Sequence, residues 1–82
     1  MERHAWLYRQ EQEGHWAIMS RQARRWLSQG YASEPLYRDL MVAFGALRDP
    51  ILEARIGRQA IRDGFGSGWI RDRVRELERK GY

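Results

Sequence analysis

The stretch Ala23–Leu40, ARRWLSQGYASEPLYRDL, decides the fold of this 82-residue chain. It holds the back half of one amphipathic helix, a stop, and the start of the next. Trp26 and Leu27 continue an apolar side begun by Trp16, Met19 and Ala23, while Arg21, Arg24, Arg25 and Ser28 fall opposite. Gly30 stops that helix. Ser33 is a good N-cap for the next, and Pro35 sits in its first turn, where a missing N–H costs nothing. An echo closes the chain: Val74–Tyr82, VRELERKGY, repeats the Gly-Tyr stop, with Gly81 lying 51 residues after Gly30.

Outward from this stretch the pattern stays helical. Residues 2–12 are good helix formers interrupted by Gly14, and His15–Gln29 is the clearest helix. Leu36, Leu40, Met41, Phe44 and Leu47 recur at helical spacing, which predicts a third helix ending near Gly45. Asp49-Pro50 is a second cap-plus-proline start, and Leu52, Ile56 and Ala60 form the stripe of a fourth helix. Gly57 on that helix marks a close backbone approach. Gly64–Gly68 reads as a turn from which Ser67 caps a last helix, with Ile70, Val74 and Leu77 facing inward. Arg71, Arg75 and Arg79 make a stripe on its other side. No segment alternates like a strand, so the expectation is an all-α domain of about five helices over 1–82.

Composition narrows the function. With no cysteine, disulfides and thiolate metal sites are excluded, and the four Trp, four Tyr and two Phe must supply much of the core. No apolar run approaches the roughly 20 residues of a membrane span, and the N-terminus lacks the pattern of a signal peptide, so a cytoplasmic location is expected. The net charge is +4, and fourteen of the fifteen basic residues are Arg, the exception being Lys80. Arginine pairs with phosphate and carboxylate alike, so DNA and an acidic protein both fit as partners. A genome rich in G and C would also raise Arg over Lys.

The Gly-Tyr echo invites a repeat test. A shift of 51 residues lays Ile18 on Trp69, Met19 on Ile70, Ala23 on Val74, Arg24 on Arg75 and Trp26 on Leu77. Arg24–Leu36, RRWLSQGYASEPL, resembles a junction in RecX-type proteins, regulators of the RecA recombinase, whose units end a helix in an apolar-and-basic run followed by Gly-aromatic. Gly45, Leu47 and Asp49, then Ala54-Arg55, Gly64-Phe65-Gly66, Ile70-Arg71 and Lys80-Gly81 resemble the family's next unit. Two stretches covering about two thirds of the chain carry the likeness. Pro35 and Leu36 depart from it, and so does a Gly66–Gly81 segment about one turn longer. The resemblance implies tandem three-helix, helix-turn-helix-like repeats, here 1–45 and an incomplete 46–82. It further implies a regulator of a recombinase–DNA filament with a role in DNA repair.

No catalytic pattern accompanies these features. His4 and His15 are spaced for no metal pair on one helix face, and Gly64–Gly68 lacks the Gly-Lys-Ser/Thr of a phosphate loop. A non-enzymatic protein without cofactor or metal is expected. The carboxylates intermix with arginines and read as surface helix pairs, such as Glu76 with Lys80. Candidate binding residues for nucleic acid or an acidic partner are Arg21, Arg24, Arg25, Arg71, Arg73, Arg75, Arg79 and Lys80. Trp6 and Trp69 are candidate partner anchors, whereas Trp16 and Trp26 belong to an apolar stripe. The same arginines also suit an ordinary solvated face. Two further readings stay open: a helix-turn-helix regulator using Arg71, Arg73 and Arg75 in the major groove, and a small phage-type inhibitor of a host complex.

Overall fold

Three polar side chains start three helices, and the computed structural model, which describes residues 2–82, places each at its expected cap. Ser33 Oγ accepts from the Leu36 N–H at 3.2 Å, Asp49 Oδ1 from Leu52 at 3.1 Å, and Ser67 Oγ from Ile70 at 3.4 Å. Each satisfies an N–H left open in the first turn, a contribution of about 1 kcal/mol. Glu2 does the same for the first helix, accepting from His4 and Ala5. The hydrogen bond from His4 is the main cause that lowers its carboxyl pKa. The described residues are all-α with five helices: α1 (Arg3–Gln12), α2 (Trp16–Ser28), α3 (Glu34–Ala46), α4 (Pro50–Arg62) and α5 (Gly68–Arg79).

All five helices end alike. One residue past each cap turns to positive φ, and the N–H after it reaches back five residues. Tyr31 N–H donates to Trp26 O at 3.0 Å and Tyr82 N–H to Leu77 O at 3.0 Å, the two halves of the Gly-Tyr echo. Gly14, Gly64 and Arg48 stop α1, α4 and α3 with the same bond reaching back five residues. Gly-Tyr spacing therefore does not by itself single out two units. Met19 and Ala23 are buried like Ile70 and Val74, as the inward faces of two amphipathic helices would be in any register.

Helix α3 is the hub. It is the most apolar segment, burying Leu36, Tyr37, Leu40, Met41, Ala43 and Phe44, and it packs against α4, α2 and α1. Helix α5 packs on α4. One cluster joins Leu7 of α1 to Val74 of α5, so residues 2–45 and 46–82 share a single core. Gly57 lets α4 approach closely: a Cβ there would lie 2.8 Å from Met41 Cε and meet Val74 as well.

The carboxylates are not all surface pairs. Glu53 is only 2% exposed, and both its oxygens accept from Arg73 of α5, at 2.6 and 3.1 Å. Gly45 of α3 makes room for it, because a Cβ at that position would stand 3.3 Å from Glu53 Oε1. This ion pair ties α3, α4 and α5 together at one point. A second tie is Tyr37, whose hydroxyl donates to Asp63 Oδ2 at 2.9 Å. Burial, then the hydrogen bond to Asp63, raises the phenol's pKa.

Candidate binding surface

Helix α2 contains no Asp or Glu, so its arginines find no i, i+4 partner on their own helix. Arg21, Arg24 and Arg25 are exposed, and among the described residues no carboxylate lies within 4.0 Å of any of them. Arg21 and Arg25 flank Ile18 and Gln22 in a shallow depression of the α2 surface. Arg24 turns the other way, toward α4. Its guanidinium lies 5.9 Å from the centre of the Phe44 ring, at the edge of a groove between α2, α3 and α4. Leu27, Phe44, Leu52 and Ile56 floor that groove, and Arg55 stands with Arg24 among its polar edges, with Ser28 and Gln59.

The α5 candidates fare differently, because their helix brings its own acids. Arg73 is bonded inward to Glu53 and also pairs with Glu76 at 3.2 Å. The hydrogen bond to Glu53 is the main cause that raises its pKa. Arg75 pairs with Asp72 at 3.3 Å and Lys80 with Glu76 at 3.4 Å. Bonded chiefly to Lys80 and then close to Arg73, Glu76 has its pKa lowered. Arg71 donates to the Gly66 carbonyl at 3.1 Å. Arg79 is exposed with no carboxylate within 4.0 Å among the described residues. The basic residue facing the α2 set across a groove is thus Arg55 of α4. Its role depends on how α2 and α4 pack, which the spacing along either helix does not reveal.

The two candidate anchors also part company. Trp6 is half-buried, its ring edge-on to Trp26 at 5.6 Å and packed against the core. Trp69 is exposed, with the Arg38 guanidinium 5.1 Å from its ring centre. It borders a depression with Arg38, Asp39, Glu34 and Glu11, where partial burial and then Glu11 raise the pKa of Asp39. Among the described residues, no three His, Asp or Glu side chains are placed to hold a metal ion. None of the helices there is long and apolar enough to cross a membrane.

Fold and surface together define a five-helix domain with an uncompensated arginine face and an arginine-edged apolar groove. Compared with known proteins, the chain matches no family model, no curated relative and no solved structure.

Proposed function

We propose that the chain is a non-enzymatic regulatory binding module, RecX-like in role, that modulates a recombinase–DNA filament through the arginine face of α2. The observation that carries this reading is the set Arg21, Arg24 and Arg25, exposed on one helix without carboxylate partners among the described residues. Such guanidinium groups suit successive phosphates, and each phosphate neutralised releases a counterion. Arg21 and Arg25, which share one depression of the surface, give a slope of log affinity against log salt of about −1.4 on single strands and about −1.8 on duplex. The test adds the protein to a RecA ATPase and strand-exchange assay, beside a variant with all three arginines changed to Ala. Inhibition or stimulation by the wild type that the variant lacks supports the reading. No effect at micromolar excess overturns it.

The helix-turn-helix alternative places α5 in a major groove through Arg71, Arg73 and Arg75. Arg73 is bonded to buried Glu53 and Arg75 to Asp72, which leaves that helix few free donors for base edges. An enriched palindrome from selection on random duplex DNA would reinstate it. For a phage-type inhibitor of a host complex, no particular feature of the surface speaks more strongly.

A further inference from the structure

The groove between α2 and α4 has a floor that phosphate does not explain. A phosphate needs only the arginines at its edge. Laid over Leu27, Phe44, Leu52 and Ile56 it would lose water and gain no donor in return. Base stacking fails on geometry. Phe44 is 4% exposed, and the Arg24 guanidinium already lies beside its ring, so no aromatic face is free to receive a base. The volume, about 280 Å³, sits at the small end of the roughly 300–1,000 Å³ of sites that enclose small-molecule ligands. It suits one or two apolar side chains. Arg24 and Arg55 add two positive charges that no carboxylate within 4.0 Å offsets among the described residues.

We propose that this groove docks an acidic segment of a partner protein. A large apolar side chain of that segment lies on the Leu27–Phe44–Leu52–Ile56 floor, and its Asp or Glu residues pair with Arg24 and Arg55. The inference rests on the reading that this side of the protein meets a filament. It divides the surface: Arg21 and Arg25 take phosphates, and the groove takes the filament's protein.

The test uses fluorescence anisotropy with the full chain and four labelled probes. These are a Glu-rich peptide with Trp and Leu at helical spacing, the same peptide with Trp and Leu changed to Ser, a Lys-for-Glu version, and a mixed-sequence single-stranded DNA. Ser28→Trp fills the groove without changing charge, and circular dichroism checks that it folds. Arg55→Glu reverses one edge, and Arg21→Ala with Arg25→Ala leaves the groove intact. The Glu-rich apolar peptide should bind best to the wild type and lose at least about tenfold in affinity with Ser28→Trp, equivalent to about 1.4 kcal/mol. Arg55→Glu should lose it too and gain affinity for the Lys version, a swap that misfolding cannot produce. DNA binding should fall in the Arg21/Arg25 variant and survive Ser28→Trp. Equal binding of the apolar and Ser peptides overturns the proposal, as does a Ser28→Trp variant that folds and binds the peptide unchanged. Loss of DNA rather than peptide in Ser28→Trp gives the groove to nucleic acid and overturns it as well. Peptide binding without any DNA binding or filament effect keeps the groove and removes the filament reading.

Discussion

Changing Arg73 to Ala strands a carboxylate. The Glu53 side chain is 3% exposed, and among the described residues Arg73 is its one hydrogen-bond donor. Breaking a buried pair from one side costs about 3–5 kcal/mol, because the remaining charge has neither water nor partner. The Arg73 side chain is 29% exposed, so truncating it opens a path for water and moves the expected loss to the low end, about 3 kcal/mol. A domain of this size has a total stability of about 4–12 kcal/mol, so the variant keeps a folded population in the middle and upper parts of that range. At about 4–8 °C per kcal/mol, the melting temperature should fall by about 12–24 °C. The opposite change, Glu53→Gln, should cost less, about 1 kcal/mol, since Arg73 retains water and Glu76. Replacing both, Glu53→Leu with Arg73→Met, should recover most of the loss. Urea denaturation followed by tryptophan fluorescence and circular dichroism measures all three. An Arg73→Ala loss under about 0.5 kcal/mol, or a greater loss for Glu53→Gln, would refute the claim that a buried charge is what this pair protects.

Arg48 is the only non-glycine among the described residues with positive φ, at 58°, and it occupies the position that glycine fills at the other four helix ends. Arg48→Gly should raise stability by about 0.5–1 kcal/mol in urea denaturation, the relief of left-handed strain outweighing glycine's greater unfolded freedom. Gly57→Ala should lower stability by about 1–2 kcal/mol, since overpacking Met41 and Val74 exceeds alanine's helix advantage; a gain would show that α4 and α5 can separate freely. Asp39 has a raised pKa, so the folded state holds its proton more tightly than the unfolded state. Stability from this group is present below the ordinary value of 3.8 and is lost as pH rises through the folded value. Asp39→Asn should therefore be more stable than the wild type at neutral pH and no more stable well below 3.8, as thermal melts across pH would show.

What the chain shows in sequence is what acts locally. Ser33, Asp49 and Ser67 bond to backbone three residues away, and Gly30 and Gly81 turn their own helix ends, so their meaning needs no tertiary context. The helices accordingly fall within a residue or two of their expected limits. From sequence Glu53 reads as a surface residue, because charge usually means exposure. A signal against that reading was present: Glu53, Gly57 and Ala60 recur at i, i+4 and i+7, so the face that brings Gly57 against Val74 carries Glu53 inward too. Arg55 had no such signal. It gains a role only from Arg24 across the groove, and their meeting depends on packing between α2, α3 and α4.

The sequence treats the arginines of α2 and α5 as matched sets, and the fold separates them by their neighbours. Helix α5 interleaves Asp72, Glu76 and Glu78 with its four arginines, while α2 has three arginines and no acid. Exposed i, i+3 and i, i+4 pairs such as Arg75–Asp72 contribute little stability. They do place a carboxylate within a few ångströms of Arg73 and Arg75, well inside a Debye length of about 8 Å. The physical asymmetry is between a helix with two of its four arginines, Arg73 and Arg75, paired to carboxylates and a helix with none of its three so paired among the described residues.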